Sequence, residues 1–286
     1  MKLTVLGSGT SHGIPVIGCS CPVCHSEDPR DNRMRASVYI EGDDGERVVI
    51  DMGPEFRIQA LRTGISSLDA VFLTHAHADH VHGLDDVRSL SYKREIPIYG
   101  NAKTMAEIEE RFSYAFKNTQ RGGGKPRISL NPVERPVQIG SLTLTPIPLK
   151  HGALDILGWM IQEDPRNQGS GDKSSFAVYL TDTSAIPPES LDLIRGAALL
   201  IIDGLRVQPH ETHFSFEQAL SVGAEIRAPR VYLTHICHNH SHREIKDFCN
   251  RFREERRLGE TVMEPAYDSM ELELKKSGKP CENKSS

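Results

Sequence analysis

Thr74-His75-Ala76-His77-Ala78-Asp79-His80 gathers three histidines and an aspartate into residues 75–80. The preceding run, Leu68-Asp69-Ala70-Val71-Phe72-Leu73, is apolar and short, the pattern of a buried strand. Gly83 and a helix-like segment follow, so strand, His-x-His-x-Asp-His and helix place four side chains at the mouth of a sheet. Imidazole and carboxylate are ligands that Zn²⁺, Mn²⁺ and iron accept at neutral pH. Two of the histidines can grip one metal while the aspartate and the third histidine turn toward a second. A plain polar helix start needs no such density of ligand-type groups.

The remainder of the chain can be read as supplying what this cluster lacks. Its 286 residues, 38% hydrophobic and 26% charged, suit one large globular domain. With a formal net charge of −5, nothing global suggests a nucleic-acid binder. No apolar run approaches the roughly 18 residues of a membrane span. Met1-Lys2-Leu3-Thr4-Val5-Leu6-Gly7 reads as a strand entering a glycine turn rather than a signal peptide, so a cytoplasmic protein is expected. Cys19, Cys21 and Cys24 are crowded together, which in an intracellular chain favours a metal over disulfides.

Several strand-like runs end in a ligand-type residue: Asp51, His75, His151, Asp182, Asp203 and His235. An α/β sheet builds its site beyond the carboxyl ends of its strands, so these six can converge. The near-identical Leu73-Thr74-His75 and Leu233-Thr234-His235 strengthen that reading. Asp51 either orients the histidines of the next strand or caps a helix over 54–61. The Gly7–Gly13 turn lacks the lysine of a phosphate-binding loop and instead lets backbone pass close to a site. Helical segments are expected over 84–95, 103–116, 189–195, 217–226 and 245–257, and a strand pair over 261–267 and 270–274. Residues 26–35 read as a charged connector. The 117–127 loop, with Lys117, Arg121, Lys125 and Arg127 around three glycines, suits either a lid over an anionic substrate or a solvated loop. A polar tip over 163–175 and a disordered tail over 275–286 complete the pattern. Cys237, Cys249 and Cys281 are read as non-ligands, and His12, His25, His82, His210, His240 and His242 receive no role.

This ordered set of motifs resembles the metallo-β-lactamase superfamily over nearly the whole chain, to about Leu274. The resemblance implies an α/β fold: an αββα sandwich, one domain spanning residues 1–274. It implies that His75, His77 and His151 hold a first divalent metal, that Asp79, His80 and His235 hold a second, and that Asp182 bridges both. Zn, Mn, Ni and Fe all suit such ligands. Lactamases proper usually carry a cysteine where this chain has Asp182, so a hydrolase of phosphoesters or thioesters is implied. Two ions about 3.5–4 Å apart can hold a hydroxide and neutralise charge on phosphorus, lowering the water pKa from about 15.7 toward 7. The departing alkoxide then needs a proton. His213, in a loop between a core strand and a helix, is the candidate donor; the alternative is a surface loop histidine.

Three thiolates in Cys19-x-Cys21-x₂-Cys24 need a fourth ligand for a closed structural zinc, and His238 can supply it. Together with Gly7-x-Gly9-Thr10, Gly13-Ile14-Pro15, Thr234-His235-Ile236 and His213, this cluster resembles the phosphoribosyl 1,2-cyclic phosphate phosphodiesterases. That resemblance implies one structural zinc, catalytic assistance from His213, and hydrolysis of a small cyclic phosphate such as 5-phosphoribosyl 1,2-cyclic phosphate. The Gly122-Gly123-Gly124 loop, the 163–175 insertion and the tail depart from that pattern. Two alternatives remain: tRNA 3′-end processing, which calls for a basic protruding arm, and a non-hydrolytic role like that of the pyrroloquinoline quinone biosynthesis protein, which shares a similar Cys motif. The expected partner is a small phosphorylated substrate, with neither nucleic acid nor membrane; a homodimer would match many relatives.

Overall fold

A computed structural model describes residues 1–117, 124–163 and 175–274. In chain order the strands are β1 (Lys2–Gly7), β2 (Ser37–Glu41), β3 (Arg47–Ile50), β4 (Ala70–Phe72), β5 (Ile96–Gly100), β6 (Ile128–Pro132), β7 (Val137–Ile139), β8 (Leu142–His151), β9 (Leu154–Glu163), β10 (Phe176–Leu180), β11 (Leu199–Asp203), β12 (Arg230–Thr234), β13 (Val262–Pro265) and β14 (Met270–Glu273). The helices are α1 (Phe56–Thr63), α2 (Ala78–Val81), α3 (Ala102–Arg111), α4 (Ser113–Phe116), α5 (Pro188–Leu193), α6 (Phe216–Glu225) and α7 (His242–Glu255).

Two seven-stranded sheets form, ordered β14-β1-β2-β3-β4-β5-β6 and β13-β12-β11-β10-β9-β8-β7. In chain order each sheet's strands first pair antiparallel and then parallel, the change falling at β3 in the first sheet and at β10 in the second. The inner parallel strands β3, β4, β10, β11 and β12 are buried on both faces, which is why they read as apolar runs. In β3, Val48 and Ile50 face the other sheet while Val49 faces the helices outside. In β11, Leu199 and Ile201 face inward while Leu200 and Ile202 pack toward α6 and α7. The outer helices cover both sheets, giving the expected αββα layering. Ser215 with Gln218 and Ser241 with Glu244 close capping boxes at the starts of α6 and α7.

Several local expectations need correction. Residues 84–95 form only a short 3₁₀ turn, Leu84–Ser89, because the chain must reach β5 at once. The helix expected over 103–116 breaks at Phe112 into α3 and α4. The last two strands do not pair with each other: β13 joins β12 and β14 joins β1, so the end of the chain closes one edge of each sheet. Residues 26–35 are no solvated connector, since Asp31 and Arg33 are buried. Arg121, most of the polar tip, the tail and Cys281 lie outside the described residues. Among the described residues no helix is long and apolar enough to cross a membrane.

Trp159 is the central plug between the sheets, 0% exposed and packed edge-on against Phe72 at 4.9 Å. Trp159→Ala should destabilise the fold by about 3–5 kcal/mol. Urea unfolding followed by circular dichroism measures it, and a loss under about 1 kcal/mol would show that the intersheet core does not depend on this residue.

Candidate metal centre

Strand ends deliver the site. His75 follows β4, His151 closes β8, Asp182 follows β10, Asp203 closes β11 and His235 follows β12. Asp51 (φ 63°), Asp182 (φ 53°) and His235 (φ 57°) all adopt left-handed backbone, which swings each side chain off its strand toward the common mouth. Two of these, Asp51 and Asp182, follow the strands at which each sheet turns from antiparallel to parallel. The sequence carries no mark of this conformation beyond aspartate's tolerance of it.

Every residue singled out for metal binding or catalysis comes together. Nitrogens of His75, His77 and His151 lie within 4.8 Å of one another, as do ligand atoms of Asp79, His80, Asp182 and His235. An Asp182 oxygen also lies within that distance of His151 and His213. His80 Nε2 is 3.1 Å from both Asp79 and Asp182, and His235 Nε2 is 3.3 Å from Asp182.

Hydrogen bonds behind the cluster set which ring nitrogens face inward. His80 Nδ1 donates to Asp51 Oδ2 at 2.7 Å, and His151 Nδ1 donates to the Thr212 carbonyl at 2.8 Å. Asp51 also accepts the Thr74 N–H and hydroxyl, each at 2.8 Å. Asp51 therefore orients histidine and does not cap α1, whose N-cap position is Glu55, without a side-chain capping bond. The buried Nε2 atoms of His75 and His235 have no hydrogen-bond partner. A buried, unpartnered imidazole nitrogen costs free energy unless something binds it.

The charge balance points the same way. Asp51, Asp79, Asp182 and Asp203 crowd the site, yet among the described residues no lysine or arginine pairs with any of them. Burial holds His75 well below its usual pKa and also lowers His77 and His151, so all three stand as the neutral imidazoles that ligate metals. Burial opposes charge on His80, but Asp182, Asp51 and Asp79 outweigh it and hold its pKa well above the ordinary value. Carboxylates that outnumber the one charged imidazole, beside three neutral ones, are a donor set that divalent cations fit.

His213 sits 4.8 Å, ring to ring, from both His151 and His235. Its Nδ1 lies 2.8 Å from Asp203 Oδ2, and burial lowers its pKa. It is no surface histidine. Asp203 also accepts the Thr183 N–H at 2.8 Å.

A second cluster lies on the same segment as His235. Sulfurs of Cys19, Cys21 and Cys24 surround His238 Nδ1 at 3.3, 3.5 and 3.4 Å. The Cys24 N–H is foremost in lowering the Cys21 thiol to about 6, whereas burial raises Cys24 to about 11. Sequence reasoning missed the clamp beside this cluster. Arg33 donates to the carbonyls of Cys237 (2.7 Å) and His240 (3.1 Å) and pairs with Asp31 (2.9 Å), which in turn accepts the His242 N–H (2.6 Å). An arginine among other charges in a connector gave no signal that it would be buried. The Gly7–Gly13 turn does bring backbone close: a Cβ on Gly9 would stand 2.6 Å from the Arg33 carbonyl. In the 117–127 loop, Lys125 donates to the Lys117 carbonyl and Arg127 to the Tyr92 carbonyl.

Residues 46–236 match the family described as the Beta-lactamase superfamily domain. A solved structure described as a new diphosphatase from the PhnP family aligns with a TM-score of 0.79 and 37% identity, covering 95% of this chain and 96% of that one. An octanoyltransferase of Porphyromonas gingivalis is 40% identical over 242 residues, 84% of this chain but only 46% of that protein. The chain thus spans about half that relative's length. The coenzyme PQQ synthesis protein B of Rhodopseudomonas palustris is 27% identical over 235 residues, covering 71% of this chain and 73% of that protein.

Asp51→Asn keeps the size and the left-handed backbone but cannot serve both Thr74 and the His80 ring as the carboxylate does. It should weaken retention of divalent cation by about 10- to 100-fold. Metal analysis after dialysis against graded chelator reads this, and wild-type retention would show that Asp51 does not set the site.

Proposed function

This chain belongs to the beta-lactamase superfamily, and from that premise we propose that it is a metal-dependent phosphodiesterase acting on a small cyclic phosphate. It is a metallo-hydrolase by fold, related to PhnP-type diphosphatases. The observation that carries the finer reading is the Asp203–His213 pair at 2.8 Å beside the two ligand groups. In this reading His75, His77 and His151 hold one divalent cation, Asp79, His80 and His235 a second, and Asp182 serves both. Bound there, such cations supply Lewis-acid charge for phosphorus and acidify water near neutral pH.

The chain's own residues do the rest. Asp203 holds the Nδ1–H of His213, which fixes the ring and leaves Nε2 as the atom that carries the exchangeable proton. As the P–O bond breaks, that proton passes from Nε2 to the departing alkoxide; Asp203 keeps the ring in place, and burial, which lowers the His213 pKa, makes the ring the readier donor. Cys19, Cys21, Cys24 and His238 form a site for a structural zinc that meets no substrate.

A second reading, cleavage of a diphosphate, is favoured by the 37% identical structure described as a diphosphatase. Phosphorus NMR separates the two. With Mn-loaded protein, the signal of 5-phosphoribosyl 1,2-cyclic phosphate should give way to a monoester while a sugar nucleoside diphosphate persists. The reverse outcome would replace the phosphodiester with the anhydride, and turnover of neither would sink both. His213→Ala should lower kcat by about 10²- to 10⁴-fold with metal content unchanged. Chelator-free protein should hold roughly three metals per chain, and Cys21→Ser roughly two; an unchanged count would remove the structural zinc.

A further inference from the structure

Three of the ligand-type rings have their rear nitrogen occupied. His80 Nδ1 donates to Asp51 at 2.7 Å, His151 Nδ1 donates to the Thr212 carbonyl at 2.8 Å, and His75 Nδ1 lies 3.0 Å from the Thr74 hydroxyl. His235 differs. Its Nε2 faces the cluster, 3.3 Å from Asp182 Oδ1 and 3.8 Å from Asp79 Oδ2, yet its Nδ1 is buried without a hydrogen-bond partner. A histidine that holds a metal ordinarily donates its other ring N–H, which fixes both the tautomer and the orientation of the ring.

An acceptor stands beside that nitrogen. Asp203 Oδ1 lies 3.9 Å from His235 Nδ1 and is itself buried without a hydrogen-bond partner. The other oxygen, Oδ2, is already served by the Thr183 N–H and by His213 Nδ1, each at 2.8 Å. Sheet register sets the approach: β11 and β12 run parallel with Asp203 opposite Thr234, the residue before His235, and the Gly204 N–H donates to the Thr234 carbonyl at 2.9 Å. The rings of His213 and His235 stack at 4.8 Å, within 16° of parallel, and ligand atoms of Asp203, His213 and His235 all lie within 4.8 Å of one another. A buried carboxylate oxygen and a buried imidazole nitrogen each cost free energy when left unserved, and here the two face each other.

We propose that Asp203 is a positioning residue for two histidines at once: its Oδ2 holds His213, and its Oδ1 takes the Nδ1–H of His235 when that ring holds a cation. The proposal rests on the reading in which His235 ligates and His213 gives up a proton, and it ties those two roles to one carboxylate. The 3.9 Å separation exceeds a hydrogen bond by about 1 Å, which a small tilt of the ring or the carboxylate closes. Sharing the carboxylate keeps the two rings parallel and makes the seating of each depend on the other.

Asp203→Asn tests this while keeping the size of the side chain. The fixed Thr183 N–H holds the amide oxygen on the Oδ2 side, so the NH2 group faces His235 Nδ1 and drives that ring's proton to Nε2, the atom a metal needs. Retention of Zn²⁺ against graded chelator should fall about 10- to 100-fold for one ion in Asp203→Asn, whereas His213→Ala, which removes only the other partner, should retain Zn²⁺ like wild type. Nitrogen-15 NMR of histidine-labelled protein at saturating Zn²⁺ reads the ring itself: His235 should carry a slowly exchanging proton on Nδ1 in wild type and in His213→Ala, but not in Asp203→Asn. Wild-type retention by Asp203→Asn would overturn the shared carboxylate. So would a His235 Nδ1–H in rapid exchange with water in wild type, a measurement that stands even if circular dichroism shows the variant unfolded. If no phosphodiester is cleaved yet Zn²⁺ retention still depends on Asp203, the phosphodiesterase reading falls and the shared carboxylate stands.

Discussion

Asp51 is fully buried at the end of β3 and accepts hydrogen bonds from the backbone of Thr74, the hydroxyl of Thr74 and the ring of His80. One carboxylate therefore ties the end of one parallel strand to the end of the next and to the loop carrying the His-x-His-x-Asp-His run. The tie reaches the second sheet, since the carbonyl of Thr74 accepts the N–H of Leu157 in β9 at 3.0 Å. Asp203 does the matching work on the other side, between Thr183 and His213. Each sheet thus contributes one buried carboxylate whose task is to orient other side chains, and removing either would leave buried donors unmet.

That arrangement is held against local strain. Three site residues sit in the left-handed region, where a non-glycine residue costs of the order of 1–3 kcal/mol. Aspartate bears this better than histidine, so His235 needs the firmest support. It receives that from its neighbour Ile236, whose N–H donates to the Ser8 carbonyl and whose carbonyl accepts the Thr10 N–H. The glycine turn after β1 thus braces the end of β12, across the gap between the sheets.

The layers and the site were legible for different reasons. Apolar runs such as Leu199-Leu200-Ile201-Ile202 announce strands buried on both faces, and a ligand-type residue at the end of each run announces a shared mouth. Partner choice was not local. Nothing in 261–274 says that its two strands go to different sheets, because each is equally apolar on its inner face. Arg33 was hidden for the same reason: a charge is satisfied inside a protein only by groups far away in sequence, here the carbonyls of Cys237 and His240.

The buried arginine also explains why the two ligand clusters belong to one device. His235 and His238 are three residues apart, and the carbonyls of Cys237 and His240 that flank His238 are gripped by Arg33. Arg33 in turn reaches the next helix through Asp31, which accepts the His242 N–H at the start of α7. A cation held by the three cysteines and His238 would pin the amino-terminal loop to this same segment, close to the residue whose backbone is strained. Its contribution to the reaction would then be mechanical: it would fix the place of His235 without meeting substrate, and sequence spacing alone could not reveal that link, because it runs through Arg33.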